Sequence, residues 1–203
     1  MEHIASEGYE TTTEEFCKQH KIPVNDFVEH LGQFEDADEE IWQTLMQVSI
    51  DTAIDDPQFQ QFDFRQRLLS VYYLFFENCA LNTAFCMASI EHHGKLKMVS
   101  TLSGLKKVFV AFIMEAYQSD SIFQSTQVGQ LIHKIGDTIY SEGFYSQLLF
   151  LLDFWHRDTS PDFEKTDLAI EKSVKAACDL LDVTPVKSIF DFGKFIWQER
   201  IQK

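Results

Sequence analysis

The sequence predicts an all-α chain with a small N-terminal head and a larger helical body. Apolar residues recur at helical spacing along nearly the whole length, no run alternates as a half-buried strand would, and only eight glycines and four prolines interrupt 203 residues. With 45% hydrophobic residues and 19 phenylalanines, the composition is that of a chain that buries an aromatic core.

Each element has its own signal. The first clear helix opens at Thr12-Thr13-Glu14-Glu15, because Thr12 with Glu15, or Thr11 with Glu14, forms a capping box; it runs to about Lys21. Pro23 suits the start of a second short helix over about 24–31, with Phe27 and Leu31 on one face. A longer helix over about 36–54 starts in an acidic turn that suits the positive end of its dipole, and its expected buried stripe is Ile41, Leu45, Val48 and Thr52. Asp55-Asp56-Pro57 ends it, and residues 58–63 form a loop.

One long helix is expected over about 64–81, then a shorter one reaching His93, where Gly94 is the stop. Another covers 97–118 with Leu102, Leu105, Val108, Phe109, Phe112 and Ile113 on its apolar side. After a loop at 118–126, a weaker helix spans about 127–139. Residues 144–155 are apolar around nearly the whole circumference, and such a helix must be buried on all sides. Ser160-Pro161 breaks it, an amphipathic helix covers about 164–182, and Thr184-Pro185 opens a last one reaching about Ile201.

Formal net charge is −15 with a pI near 4.7, which argues against general attraction to nucleic acid or to anionic membranes. The acid is concentrated: residues 1–40 hold twelve carboxylates against two lysines. No apolar run approaches a membrane span and no secretory leader opens the chain, so a cytoplasmic protein is expected. Cys17, Cys79, Cys86 and Cys178 lack metal or redox spacing and read as buried thiols. His92 and His93 are adjacent and would point apart on a helix, against paired ligation.

Residues 13–35 resemble the helix-turn-helix of the TetR family of bacterial regulators. Phe16, Ile22, Phe27 and Leu31 stand at the family's apolar positions, whereas Val28 replaces a backbone-contacting Tyr, Phe34 a Lys, and Lys21 the Gly of the turn. LLFLLDFWHRDTSPDFEKTDLAIEKSV and SIFDFGKFI resemble variant C-terminal domains of TetR-like proteins from the Bacteroidetes. The resemblance implies a degenerate helix-turn-helix domain over 1–35, with its first helix short or the native start upstream of Met1, and a helical ligand-binding and dimerisation domain over 36–203.

It also implies three sites. Lys18, Lys21, Asn25, His30 and Gln33 are the candidates for DNA contact, in a segment poor in the cations that phosphate binding needs. Tyr72, Tyr73, Phe76, Phe85, Met87, Phe109, Phe112 and Met114 could line a pocket for an apolar or lipid-like ligand, or simply fill the core. Tyr145, Leu148, Leu152, Trp155, Ile170 and Val174 are candidates for a homodimer interface.

No enzyme is expected, and no cofactor. Asp191-Phe192-Gly193 lacks the other kinase motifs, and Asp153 with His156 at i, i+3 has no second such pair to build a metal centre. The expected function is therefore a homodimer that binds an apolar molecule or a protein partner with DNA binding weakened or lost; a ligand-responsive DNA-binding regulator is the alternative.

Overall fold

The computed structural model describes residues 1–119 and 137–182. Among these are nine α-helices and three short 3-10 turns, with no strand, as the helical periodicity requires. The expected helix at 127–139 lies mostly outside the described residues, and the last helix, with Asp191-Phe192-Gly193, lies wholly outside them.

The head comprises α1 (Glu2–Glu7), α2 (Thr13–His20) and α3 (Val24–Leu31). The Thr12 hydroxyl accepts from the Glu15 backbone N–H while Glu15 Oε2 accepts from the Thr12 N–H, so the expected capping box forms. Such a cap is worth about 1 kcal/mol. His3, Phe16, Phe27 and Phe34 supply the small aromatic core, with ring centroids 4.9–5.5 Å apart.

Helix α4 (Ala37–Ile54) leads into the body and packs mainly against α7 and α5. Its inward stripe differs from the expected one. Trp42, Leu45, Met46, Ser49, Ile50 and Ala53 are buried, whereas Val48 and Thr52 are exposed and Ile41 is half-buried. Two packing partners widen the buried sector, and polar Ser49 takes an inner position by donating to the Leu45 carbonyl at 2.7 Å and accepting from Asn78 at 2.9 Å.

Helix α5 (Phe64–Leu81) begins in a second capping box, with Asp63 and Gln66 reciprocally bonded. Buried Arg67 holds the preceding loop by donating to the carbonyls of Phe59 and Gln60 and to Ser119. Helix α6 (Thr83–Thr101) is two helical runs that meet in a kink at Gly94, where φ 59° and ψ 175° are non-helical, at the position where the sequence expects a stop. A distinct α7 (Ser103–Gln118) follows, so the expected single helix from residue 97 is interrupted at Leu102. At Gly104, α7 approaches α4 so closely that an added Cβ would meet Gln43 Oε1 at 2.5 Å.

Helix α8 (Asp137–Arg157) starts earlier than the sequence suggests and runs through Gly143. A 3-10 turn at Pro161–Phe163 joins it to α9 (Glu164–Asp182). Buried Tyr72 on α5 donates from its hydroxyl to the Phe144 carbonyl at 3.3 Å, with Gln147 Oε1 at 3.2 Å, and Gln147 Nε2 donates to Ser173 at 3.0 Å. One polar line thus ties α5, α8 and α9. No described helix is long and apolar enough to cross a membrane.

Candidate functional site

Helices α2 and α3 are joined by the short turn at Lys21, Ile22 and Pro23. Lys21 closes α2 in the left-handed conformation, φ 56° and ψ 37°, and its N–H bonds back to Cys17 and Lys18 carbonyls. Of the expected apolar frame, Phe27 is buried and Phe16 and Leu31 are partly buried, but Ile22 is exposed. Val24 and Val28 are also exposed, one turn apart on α3, beside Asp26 and Glu29. The outward face of the would-be reading helix therefore carries valines and carboxylates.

Lys18, Lys21, Asn25, His30 and Gln33 are all solvent-exposed. Two of them have internal work. His30 Nδ1 lies 2.7 Å from the Asp26 carbonyl, and Gln33 Oε1 accepts from the Thr13 hydroxyl at 2.9 Å. Only Lys18, Lys21 and Asn25 remain without a side-chain hydrogen bond among the described residues.

The joint between head and body is built around Asp38, which is 1% exposed at the start of α4. Its Oδ2 accepts from Tyr9 at 2.5 Å and Ser89 at 2.6 Å, with His93 Nε2 at 3.0 Å. Ser89 in turn accepts from Trp42 Nε1 at 3.0 Å. Tyr9 also stacks on His92, with centroids 3.8 Å apart and planes 12° from parallel. Burial, followed by the hydrogen bond to Asp38, pushes the Tyr9 phenol far above its ordinary range, so it stays a donor. His92 and His93 do point apart, one to a ring and one to a carboxylate. Sequence reasoning missed this cluster because Asp38 reads as one more acid of a helix N-terminus; only its burial separates it from Glu39 and Glu40.

The pocket candidates divide. Tyr72, Phe85, Phe109 and Phe112 are buried in the core, where Tyr72 stacks on Phe109 at 5.7 Å and Phe85 meets Trp42 at 5.9 Å. Met87 is half-buried with its sulfur 3.1 Å from His156 Nδ1. Tyr73 and Phe76 border a cleft of about 270 Å³ between α5 and the α8–α9 turn, and Met114 borders one of about 390 Å³ between α7 and α8. A third cleft, about 400 Å³, opens between α6 and α8: Ile90, Met98, Leu102, Leu149 and Leu152 form its walls. Asp153 and His156 stand at this cleft with Glu91, so the i, i+3 pair faces an apolar opening. Among the described residues no cluster of His, Cys, Asp or Glu could hold a metal.

All six dimer candidates lie inside the protomer: Tyr145, Leu148, Leu152, Trp155, Ile170 and Val174 are each at most 5% exposed. What α8 and α9 turn outward is different. Phe150 is 55% and Leu168 47% exposed, and the Phe150 ring lies 6.3 Å from half-buried Phe154. The four cysteines are buried and none forms a disulfide, and burial, then the bond with Cys86, raises the Cys79 thiol further.

Comparison with known families matches residues 67–196 to the description "Tetracyclin repressor-like, C-terminal domain". No curated protein matches the chain.

Proposed function

The chain belongs to the tetracyclin repressor-like family, and from that premise we propose a homodimeric ligand-binding protein whose N-terminal head has given up reading DNA. The observation that carries the proposal is the outward face of α3. It offers Val24, Val28, Asp26 and Glu29 where phosphates would have to dock, on a head with twelve carboxylates and two lysines in its first 40 residues. Neutralisation of phosphates by cations supplies most of the affinity of such contacts, and an acidic apolar helix repels them. Exposed Ile22, Val24 and Val28 suit a protein partner better.

The remaining parts of the reading rest on the body. The α6–α8 cleft, apolar in its walls with a few polar groups at the rim, suits an apolar small molecule. The aromatic outer face of α8 with Leu168 of α9 suits a second copy of the chain. A gel-shift assay on the DNA upstream of its own coding region, at low salt, tests the central point. No retarded specific band is expected, and a sequence-specific band would overturn the reading. Native mass spectrometry of the same preparation should give a dimer with a co-purified small molecule.

The second reading, a ligand-responsive DNA-binding regulator, is favoured by two observations. Lys18, Lys21 and Asn25 are exposed and free at the helix-turn-helix, and the Asp38 cluster ties the head to α6, which borders the ligand cleft.

A further inference from the structure

The cleft between α6 and α8 changes character along its length. Met87 of α6 touches His156 of α8, and Leu102 and Leu149, later on α6 and earlier on α8, share the same cleft, so the two helices run antiparallel. Glu91, Asp153 and His156 therefore gather at one end. Beyond the kink at Gly94 the walls are Met98, Val99, Leu102 and Leu149. Apolar surface is open to a ligand there, because Val99 is 57% exposed and Leu149 is half-buried. A molecule lying along the cleft meets one polar end and one apolar end.

The side chains at the polar end accept hydrogen bonds and have none to offer. His156 Nδ1 lies 3.1 Å from the Met87 sulfur. A thioether has no proton to give, and two lone pairs at that distance would repel, so Nδ1 carries the imidazole proton and Nε2 of the neutral ring is a bare acceptor. Nε2 has no partner among the described residues and is open to solvent. Glu91 is exposed and forms no ion pair or hydrogen bond among the described residues. Asp153, by contrast, is engaged by exposed Arg157. The acceptors left for a ligand are His156 Nε2 and the Glu91 carboxylate.

We propose that this cleft takes a linear alkylamine in its ammonium form, with the chain along Met98, Val99, Leu102 and Leu149 and the N–H groups donating to His156 Nε2 and Glu91. The proposal rests on the reading of this cleft as a ligand site and assigns the chemistry of the headgroup. A carboxylate head would bring acceptors to acceptors and like charge to like charge. An alcohol has one proton to donate where the ammonium has three. The net charge of −15 also favours a cationic ligand over an anionic one. The volume, about 400 Å³, lies in the range of small-molecule sites.

Octylamine is the probe, with octan-1-ol and octanoate as comparisons of the same chain length. Titration of the full chain at neutral pH, followed by calorimetry and by the Met98 methyl resonance, should give saturable octylamine binding about tenfold tighter than that of octan-1-ol, with octanoate weaker again. Long-range ¹H–¹⁵N spectra should show the Nδ1–H tautomer at His156 in the free chain, and Nε2 should shift on saturation. Glu91→Gln, at an exposed position, should weaken octylamine about fivefold and leave octan-1-ol unchanged. The same change in the head, Glu14→Gln, should alter neither, which separates headgroup recognition from general attraction to an acidic chain. Octan-1-ol or octanoate binding as tightly as octylamine, an Nε2–H tautomer, or undiminished octylamine binding by Glu91→Gln overturns the headgroup assignment alone. Absence of saturable binding by all three probes overturns it together with the ligand-site reading.

Discussion

His93 on α6 reaches the buried Asp38 carboxylate on α4 at 3.0 Å, and the same oxygen accepts from Tyr9 in the head. One carboxylate thus joins the segment between α1 and α2 to two helices of the body. Removing a buried charge's partners, or the charge itself, leaves the others desolvated and unpaired. Asp38→Ala should lower unfolding free energy by about 3 kcal/mol in urea titration, and His93→Ala by about 1 kcal/mol. Both should also increase proteolysis between residues 8 and 12.

The missing cations can be put back. Val28→Lys combined with Glu29→Lys places two charges on the exposed face of α3 without touching buried Phe27. The double variant should gain non-specific DNA affinity, with a log–log salt dependence steeper by about two. Fluorescence anisotropy on a random duplex at several salt concentrations measures it.

Phe150→Glu probes the proposed dimer face. Because Phe150 is 55% exposed in the protomer, the fold should survive the change. Light scattering after size exclusion should show dissociation weakened interfaces of this kind undergo, by about tenfold or more in dimer affinity. Circular dichroism should be unchanged.

Gly94→Ala tests the break in α6. An added Cβ would meet nothing within 4 Å, so any cost lies in the backbone, where φ is 59° and ψ 175°. A loss of about 1–3 kcal/mol is expected in thermal or urea unfolding. The α6–α8 cleft, which Gly94 borders, should change shape with it.

Asp158 gives the chain an acid-side pH dependence. Burial opposes its charge, but hydrogen bonds from Ser160 and Thr166 outweigh that and hold it at about 2. A folded pKa below the unfolded value near 3.8 gives stability that is complete above about pH 4 and lost as pH falls toward 2. Asp158→Asn should cost about 1–2 kcal/mol at pH 7, with the gap to the parent closing across that window in urea titrations.

The helices were legible in the sequence because 3.6-residue periodicity survives any packing arrangement. Their orientation was less so. The α4 stripe was expected on Ile41, Leu45, Val48 and Thr52; Leu45 is buried, but contact with both α5 and α7 draws in Trp42, Met46 and Ser49 in place of the other three. An all-round apolar helix such as α8 shows how much is buried and not which side faces a partner; its largest apolar residues turned inward and left Phe150 outside. Asp38 was hidden among other acids, and the α5/α8–α9 cleft draws on residues 73–167 that no local motif connects.

The Asp38 cluster also limits how such proteins can be recombined. The head's own core is small, and its hold on the body runs through the packing of α1 on α6 and through Tyr9, which pairs with residues 29 and more positions away. A cut at the start of α4 would separate Tyr9 from its acceptor and its stacking partner. Transplanting a foreign head onto this body would therefore require carrying a matching phenol, or redesigning Ser89, His92 and His93 to receive another one. In this chain the seam makes head and body a matched pair.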